Sequence, residues 1–145
     1  MSELQEGPPS DVTTTHRVVV TAVPSDIDEL AHVSNLVYLR WVQEVAQAHS
    51  ASVGWDHPQY RDLGAVFMVR RHQIEYVLPV VEGEEVELLT WIAWWRGASS
   101  ERRTLIRRAR DGVVVAGAAT LWAFVDFKSG RPRRIPKEIV AAFGA

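Results

Sequence analysis

Ten residues, DIDELAHVSN at positions 26–35, gather Asp26, Asp28, Glu29, His32 and Asn35 just ahead of an amphipathic run. A carboxylate can act as general base or nucleophile. A helix N-terminus presents main-chain N–H groups to a developing oxyanion. Asp28 lies seven residues before Asn35, close enough for a looping segment to bring both around one carbonyl carbon. These are parts for acyl transfer, with no obvious acid for the leaving group. A thioester removes that need, because a thiol of pKa about 8.5 leaves as thiolate far more readily than an alcohol or amine does. Amides and oxygen esters are harder for the same groups.

The rest of the chain narrows the chemistry. There is no cysteine, which removes disulfides, a thiol nucleophile and cysteine-ligated zinc or iron–sulfur sites. G-x-S-x-G, P-loop, G-x-G-x-x-G and H-E-x-x-H patterns are absent, which argues against serine α/β-hydrolases, P-loop NTPases, dinucleotide oxidoreductases and zincins. His16, His32, His49, His57 and His72 lack metal-ligand spacing, so neither a metal nor a bound redox cofactor is expected. Charge is lopsided: residues 1–101 hold six Lys/Arg against fifteen Asp/Glu, and 102–145 hold ten against three. The basic end suits a nucleotide phosphate or an acidic carrier protein, or simply water. Nucleic acid ranks last, since no RNA-binding motif accompanies the charge. With no secretory leader and no long apolar run, the expectation is a cytoplasmic protein without membrane contact.

Elements must position those groups. Residues 1–15 contain Pro-Pro and read as a frayed, disordered tail, leaving 16–145 as one domain. HRVVVTAV is a first strand ending at Pro24. From Asn35 to about Ser52, Val37, Tyr38, Trp41, Val42, Val45 and Ala46 recur at helical spacing, with Ser34 and Asn35 as N-cap residues. A connector follows, with one helical turn after Pro58. AVFMVRRHQIEYVL, EVELLTWIAWW, RRTLIRRAR and VVVAGAATLWAFVDF read as consecutive strands of an antiparallel meander. The last is apolar on both alternating sets and should be covered on both faces. A basic loop and a short terminal helix close the chain. The order specifies an α+β domain in which a single sheet buries the helix.

Three ordered blocks carry a resemblance. SDIDELAHVSNLVYLRWVQEV resembles the pattern D-x-D-x-x-G-H-V-x-N-x-x-Y-L of hotdog-fold acyl-CoA thioesterases of the 4-hydroxybenzoyl-CoA thioesterase family. IEYVLPVVEGEEVEL and LWAFVDFKSGRPRRIP are similar to that family's later blocks, and the likeness spans roughly residues 17–138. It implies a long central helix wrapped by a curved five- to six-stranded antiparallel sheet, and a homo-oligomer, either a dimer or a dimer of dimers, with substrate at the subunit interface. It implies Asp28 as the catalytic carboxylate, either nucleophile or base, the Asn35 N–H as oxyanion donor, and Asp26 as a shaper of the loop. Arg131 and Arg133 fall where CoA phosphates would bind. Tyr38, on the motif tyrosine, and Glu75 are further candidates for the substrate site. Ala31 stands where the pattern has glycine, which costs backbone freedom wherever φ must be positive.

The reading that follows is hydrolysis of an acyl-CoA, or an acyl-carrier-protein thioester, to a free acid. A hotdog hydratase using Asp28 and His32 as an acid–base pair, and a non-catalytic acyl-CoA-binding module, are the rivals. His32 also reads as a structural residue bonding the loop backbone. Glu75 either enters the partner's site or pairs with an arginine across the sheet. The six tryptophans read as packing residues. Arginines 102, 103, 107, 108 and 110 read as a solvated strand face.

Overall fold

In the computed structural model, which describes residues 2–12 and 14–145, the polar loop ends where the Ser34 Oγ accepts the Leu36 N–H at 3.3 Å. That cap starts helix α1, Asn35–Ser52, at the expected residue. Its apolar stripe of Val37, Tyr38, Trp41, Val42 and Val45 packs on Val86, Leu88, Ile106, Ala116 and Ala118. Each such side chain taken from water contributes about 1.5–3 kcal/mol, so this face, more than helix propensity, holds α1 in place.

The strands are β1 (Thr15–Thr21), β2 (Ala65–Tyr76), β3 (Glu85–Arg96), β4 (Ser99–Arg108) and β5 (Val114–Asp126), and they form one sheet in the order β1-β3-β4-β5-β2. Every pairing is antiparallel. The meander expected over all four later strands holds only for β3-β4-β5. β2 leaves for the far side of β5, which lets the sheet cover α1 with β5 as an inner strand, buried on both faces. Two short helices, α2 (His57–Leu63) and α3 (Lys137–Ala142), close a second core of Tyr60, Ala65, Phe124, Ile135, Ile139 and Phe143 at the far end of α1. Among the described residues, no helix is long and apolar enough to cross a membrane.

Residues 2–5, within the stretch expected to fray, lie against the sheet instead; Met1 and Thr13 of that stretch are outside the described residues. A 3-10 turn at Glu3–Gln5 buries Leu4 to 7% exposure. It sits on the face opposite α1, because Ala116 and Ala118 face the helix and strand residues alternate. Gly117 makes this approach possible: a Cβ there would stand 1.8 Å from the Leu4 carbonyl oxygen. Gly117→Ala is therefore expected to expel the turn, for a net loss of about 1 kcal/mol once the lost leucine burial is set against the strand's gain from alanine. Faster proteolysis of the N-terminal segment and a lower urea midpoint would show it; an unchanged cleavage rate would refute it.

Candidate active site

The loop before α1 is a small hairpin. Ile27 and Val33 form an antiparallel bridge, Asp28 donates its N–H to the His32 carbonyl at 2.9 Å, and Ala31 donates to the Asp28 carbonyl at 3.0 Å. Its base is tied down twice: the Ser34 N–H meets the Asp26 carbonyl at 2.9 Å and the Val33 N–H meets the Val80 carbonyl at 2.8 Å. Asp26 itself is 2% exposed. It accepts the Val23 N–H at 3.0 Å and the Arg40 guanidinium at 2.8 Å. Burial opposes its ionisation, but the Arg40 hydrogen bond and the Val23 N–H outweigh it and hold the carboxyl below its usual range. Asp26 thus welds the hairpin to α1.

At the tip the chemistry is open. Asp28 is exposed; its Oδ1 accepts the Leu30 N–H at 2.9 Å, an Asx turn that orients the carboxylate, while Oδ2 has no partner among the described residues. At the helix start, Ser34 takes the Leu36 N–H on its hydroxyl and the Val37 N–H on its carbonyl, leaving the Asn35 N–H without an acceptor among the described residues. The helix dipole adds positive potential there. His32 is exposed, and it bonds the loop backbone through its main-chain carbonyl, which accepts the Asp28 N–H.

Ala31 has φ of 66°, the left-handed region that costs an L-residue about 1–2 kcal/mol. Glycine there is expected to stabilise the fold by roughly 0.5–1 kcal/mol after its larger unfolded-state entropy is subtracted. Thermal unfolding of Ala31→Gly checks this; a lower midpoint would refute it.

The remaining candidates scatter. Tyr38 is 3% exposed, edge-on to Trp41 and Tyr76 at 5.5 and 5.3 Å between ring centroids, and burial raises its hydroxyl pKa. Among the described residues Glu75 pairs with no arginine: it accepts from the Ser2 hydroxyl and from Gln5 Nε2 at 3.4 Å. Arg133 lies 3.4 Å from Asp126 and over the Phe124 ring at 5.7 Å, whereas the exposed Arg131 guanidinium has no partner among the described residues. One chain does not unite these arginines with Asp28. Ala65, at the start of β2, pairs with Asp126, whose N–H bonds the Arg131 carbonyl. Tyr76, at the other end of β2, reaches the Asn35 carbonyl at 3.4 Å. A strand of 12 residues at roughly 3.3 Å per residue separates them.

A sequence profile of the thioesterase-like superfamily matches residues 22–143. The chain belongs to this superfamily. Its fold is that of solved hotdog thioesterases. A 1,4-dihydroxy-2-naphthoyl-CoA thioesterase from Synechocystis superposes with a TM-score of 0.83 at 14% identity, over 90% of this chain and 96% of that one. A Staphylococcus aureus protein solved in complex with CoA gives 0.84 at 12%, over 93% and 85%. A probable thioesterase from Bartonella henselae gives 0.77 at 20%, over 85% and 100%. A search of curated proteins returns no match.

Two features of this thioesterase-like chain escape sequence reasoning. A groove of about 410 Å³ is lined by Arg96, Arg134 and Lys137, drawn from two segments that only folding brings together; Arg134 and Lys137 have no ion-pair partner among the described residues. Arg102, expected on a solvated face, is 5% exposed. The signal was present: Arg102 shares its strand phase with Thr104 and Ile106, both buried. Its neighbours Arg103, Arg107 and Arg108 do meet solvent-side carboxylates, on Glu101, Glu87 and Asp111. Among the described residues no cluster of three or more His, Asp or Glu could hold a metal ion.

Proposed function

We propose that the chain hydrolyses an acyl thioester of a pantetheine thiol, carried by CoA or by an acyl-carrier protein, to the free acid. The observation that carries this reading is the hairpin, where the Asp28 carboxylate keeps one oxygen open and the helix that follows begins on an N–H without an acceptor among the described residues. Asp28 either attacks the thioester carbonyl, forming an acyl anhydride that water then hydrolyses to the free acid and the regenerated carboxylate, or takes the proton of an attacking water. Both routes pass through a tetrahedral oxyanion, which the Asn35 N–H stabilises, and both expel a thiolate that needs no acid. The CoA complex of the S. aureus neighbour supports the choice of leaving group.

A second copy completes the site. β2 is an edge strand of 12 residues, long for an uncovered edge. Antiparallel pairing of two copies about its middle sets residue 65 of one near residue 76 of the other. Arg131 and Arg133 of one protomer then approach the Asn35 end of the partner, within reach of a CoA phosphate; Arg134 and Lys137 extend the same basic surface.

Thiol release from a panel of short, medium, long-chain and aromatic acyl-CoAs, followed with a thiol-reactive dye and repeated on acyl-carrier-protein thioesters, tests the activity. Silence across both sets would end the reading. Sedimentation equilibrium tests the pairing, and a monomer at micromolar concentration would remove it.

A further inference from the structure

At the end of α1 remote from Asp28, a cavity of about 150 Å³ has walls that include Trp55, Phe67, Trp95, Trp122, Phe143 and Arg102. An apolar cavity of that size takes one six-membered ring. Arg102 is the anomaly in this wall. Its Nη1 donates to His49 Nδ1 at 2.9 Å and Thr90 Oγ1 at 3.1 Å, and the guanidinium lies 5.8 Å from the Phe143 ring. No carboxylate pairs with it, and its other N–H groups have no acceptor among the described residues.

Buried charges are ordinarily paired, because an isolated one forfeits its hydration. Trp122 repeats the pattern on the same wall: its Nε1–H is buried without a partner among the described residues. The Ser50 and Tyr60 hydroxyls, also on the wall, bond each other at 2.6 Å. The rim's Asp56 carboxylate already accepts the His57 N–H at 2.9 Å. The unfilled positions on Arg102 and Trp122 are therefore both donors, one of them cationic, in an aromatic box.

We propose that this cavity binds a monocyclic aromatic carboxylate, its ring between the tryptophans and its carboxylate on Arg102 and Trp122. A planar carboxylate matches the guanidinium fork and fits beside one ring in this volume. Within one protomer the site stands about one helix length, fifteen residues at 1.5 Å or roughly 22 Å, from Asn35, and it rests on Arg102 and Trp122 rather than on hydrolysis at the hairpin.

The test is titration of tryptophan fluorescence and calorimetry with benzoate, against its neutral isostere benzamide, in wild type, Arg102→Met and Trp122→Phe. Benzoate should bind wild type at least about tenfold tighter than benzamide, the worth of one charge-assisted pair. Arg102→Met should abolish that preference while its thermal midpoint stays level or rises, since a buried cation without a counter-ion opposes folding. Trp122→Phe, which keeps the box and loses the donor, should weaken benzoate about threefold. Equal affinity of wild type for the two ligands, or no saturation with benzoate by about 20 mM, would overturn the site whatever the variants do. So would Arg102→Met binding benzoate as wild type does. If Arg102→Met does not fold, the wild-type comparison and Trp122→Phe still decide.

Discussion

Asp28→Asn is expected to lower kcat for thioester hydrolysis at least about 100-fold with KM little changed, a loss of roughly 2.7 kcal/mol of transition-state stabilisation. The substitution isolates chemistry from structure. An asparagine Oδ1 still accepts the Leu30 N–H that Asp28 accepts at 2.9 Å, so the Asx turn and hairpin persist and the thermal midpoint should stay level. What disappears is the anionic oxygen that either attacks the carbonyl or deprotonates water. His32→Gln serves as the contrast. Its ring is exposed and without a partner among the described residues, so hydrolysis should fall less than about fivefold, whereas a hydratase relying on an Asp28–His32 pair would lose most of its rate. Thiol release by stopped assay reads both variants. Equal rates for wild type and Asp28→Asn would reduce Asp28 to a loop residue.

Stability should fall steeply below about pH 6.5, and His49 should be a main cause. The ring is 1% exposed, stacked on His16 at 5.5 Å and edge-on to Phe143 at 4.9 Å. Arg102 has only donors, so Nδ1 accepts from it, which assigns the proton to Nε2 of a neutral ring. Burial first, then the charge of Arg102 and of His16, pushes the pKa from its ordinary 6.5 down to about 3. Above 6.5 both folded and unfolded forms are neutral and the contribution to stability is complete. Between 6.5 and about 3 the unfolded chain takes a proton that the folded chain refuses, costing about 1.4 kcal/mol per pH unit. Two units of acidification should therefore remove roughly 3 kcal/mol through this residue alone.

His49→Gln keeps an acceptor for Arg102 and cannot titrate. Urea unfolding near pH 7 and near pH 4.5 should show its pH slope flatter than wild type by about that amount. His72, also lowered by burial, remains in both proteins and cancels in the difference. Asp26 and Glu87, held low chiefly through arginine contacts against their burial, lose their contributions only as pH falls through and below their ordinary 3.8 and 4.5. Parallel slopes for wild type and variant would remove His49 from the account.

Local order in this chain was legible before folding. The helical spacing from Val37 to Ala46, closed in front by Ser34, specifies α1 as Asn35–Ser52, because both signals act within one or two turns. Likewise, the two-sided apolar run from Val114 to Asp126 marks an inner strand. The residues of the hairpin tip were legible by resemblance, and their spacing alone permitted the same chemistry.

Tertiary structure decided the rest. Period-two alternation says which residues share a face but not which strands are neighbours, so the passage of β2 to the far edge, and the separation of Asp28 from Arg131 and Arg133 that follows, had no local signature. Leu4 over Gly117 and Arg102 over His49 are contacts between residues far apart in sequence. In each, what one residue means depends on a partner that only the closed sheet supplies: Gly117 is a docking surface because Leu4 arrives, and Arg102 is a buried cation because His49 of α1 and Phe143 cover it.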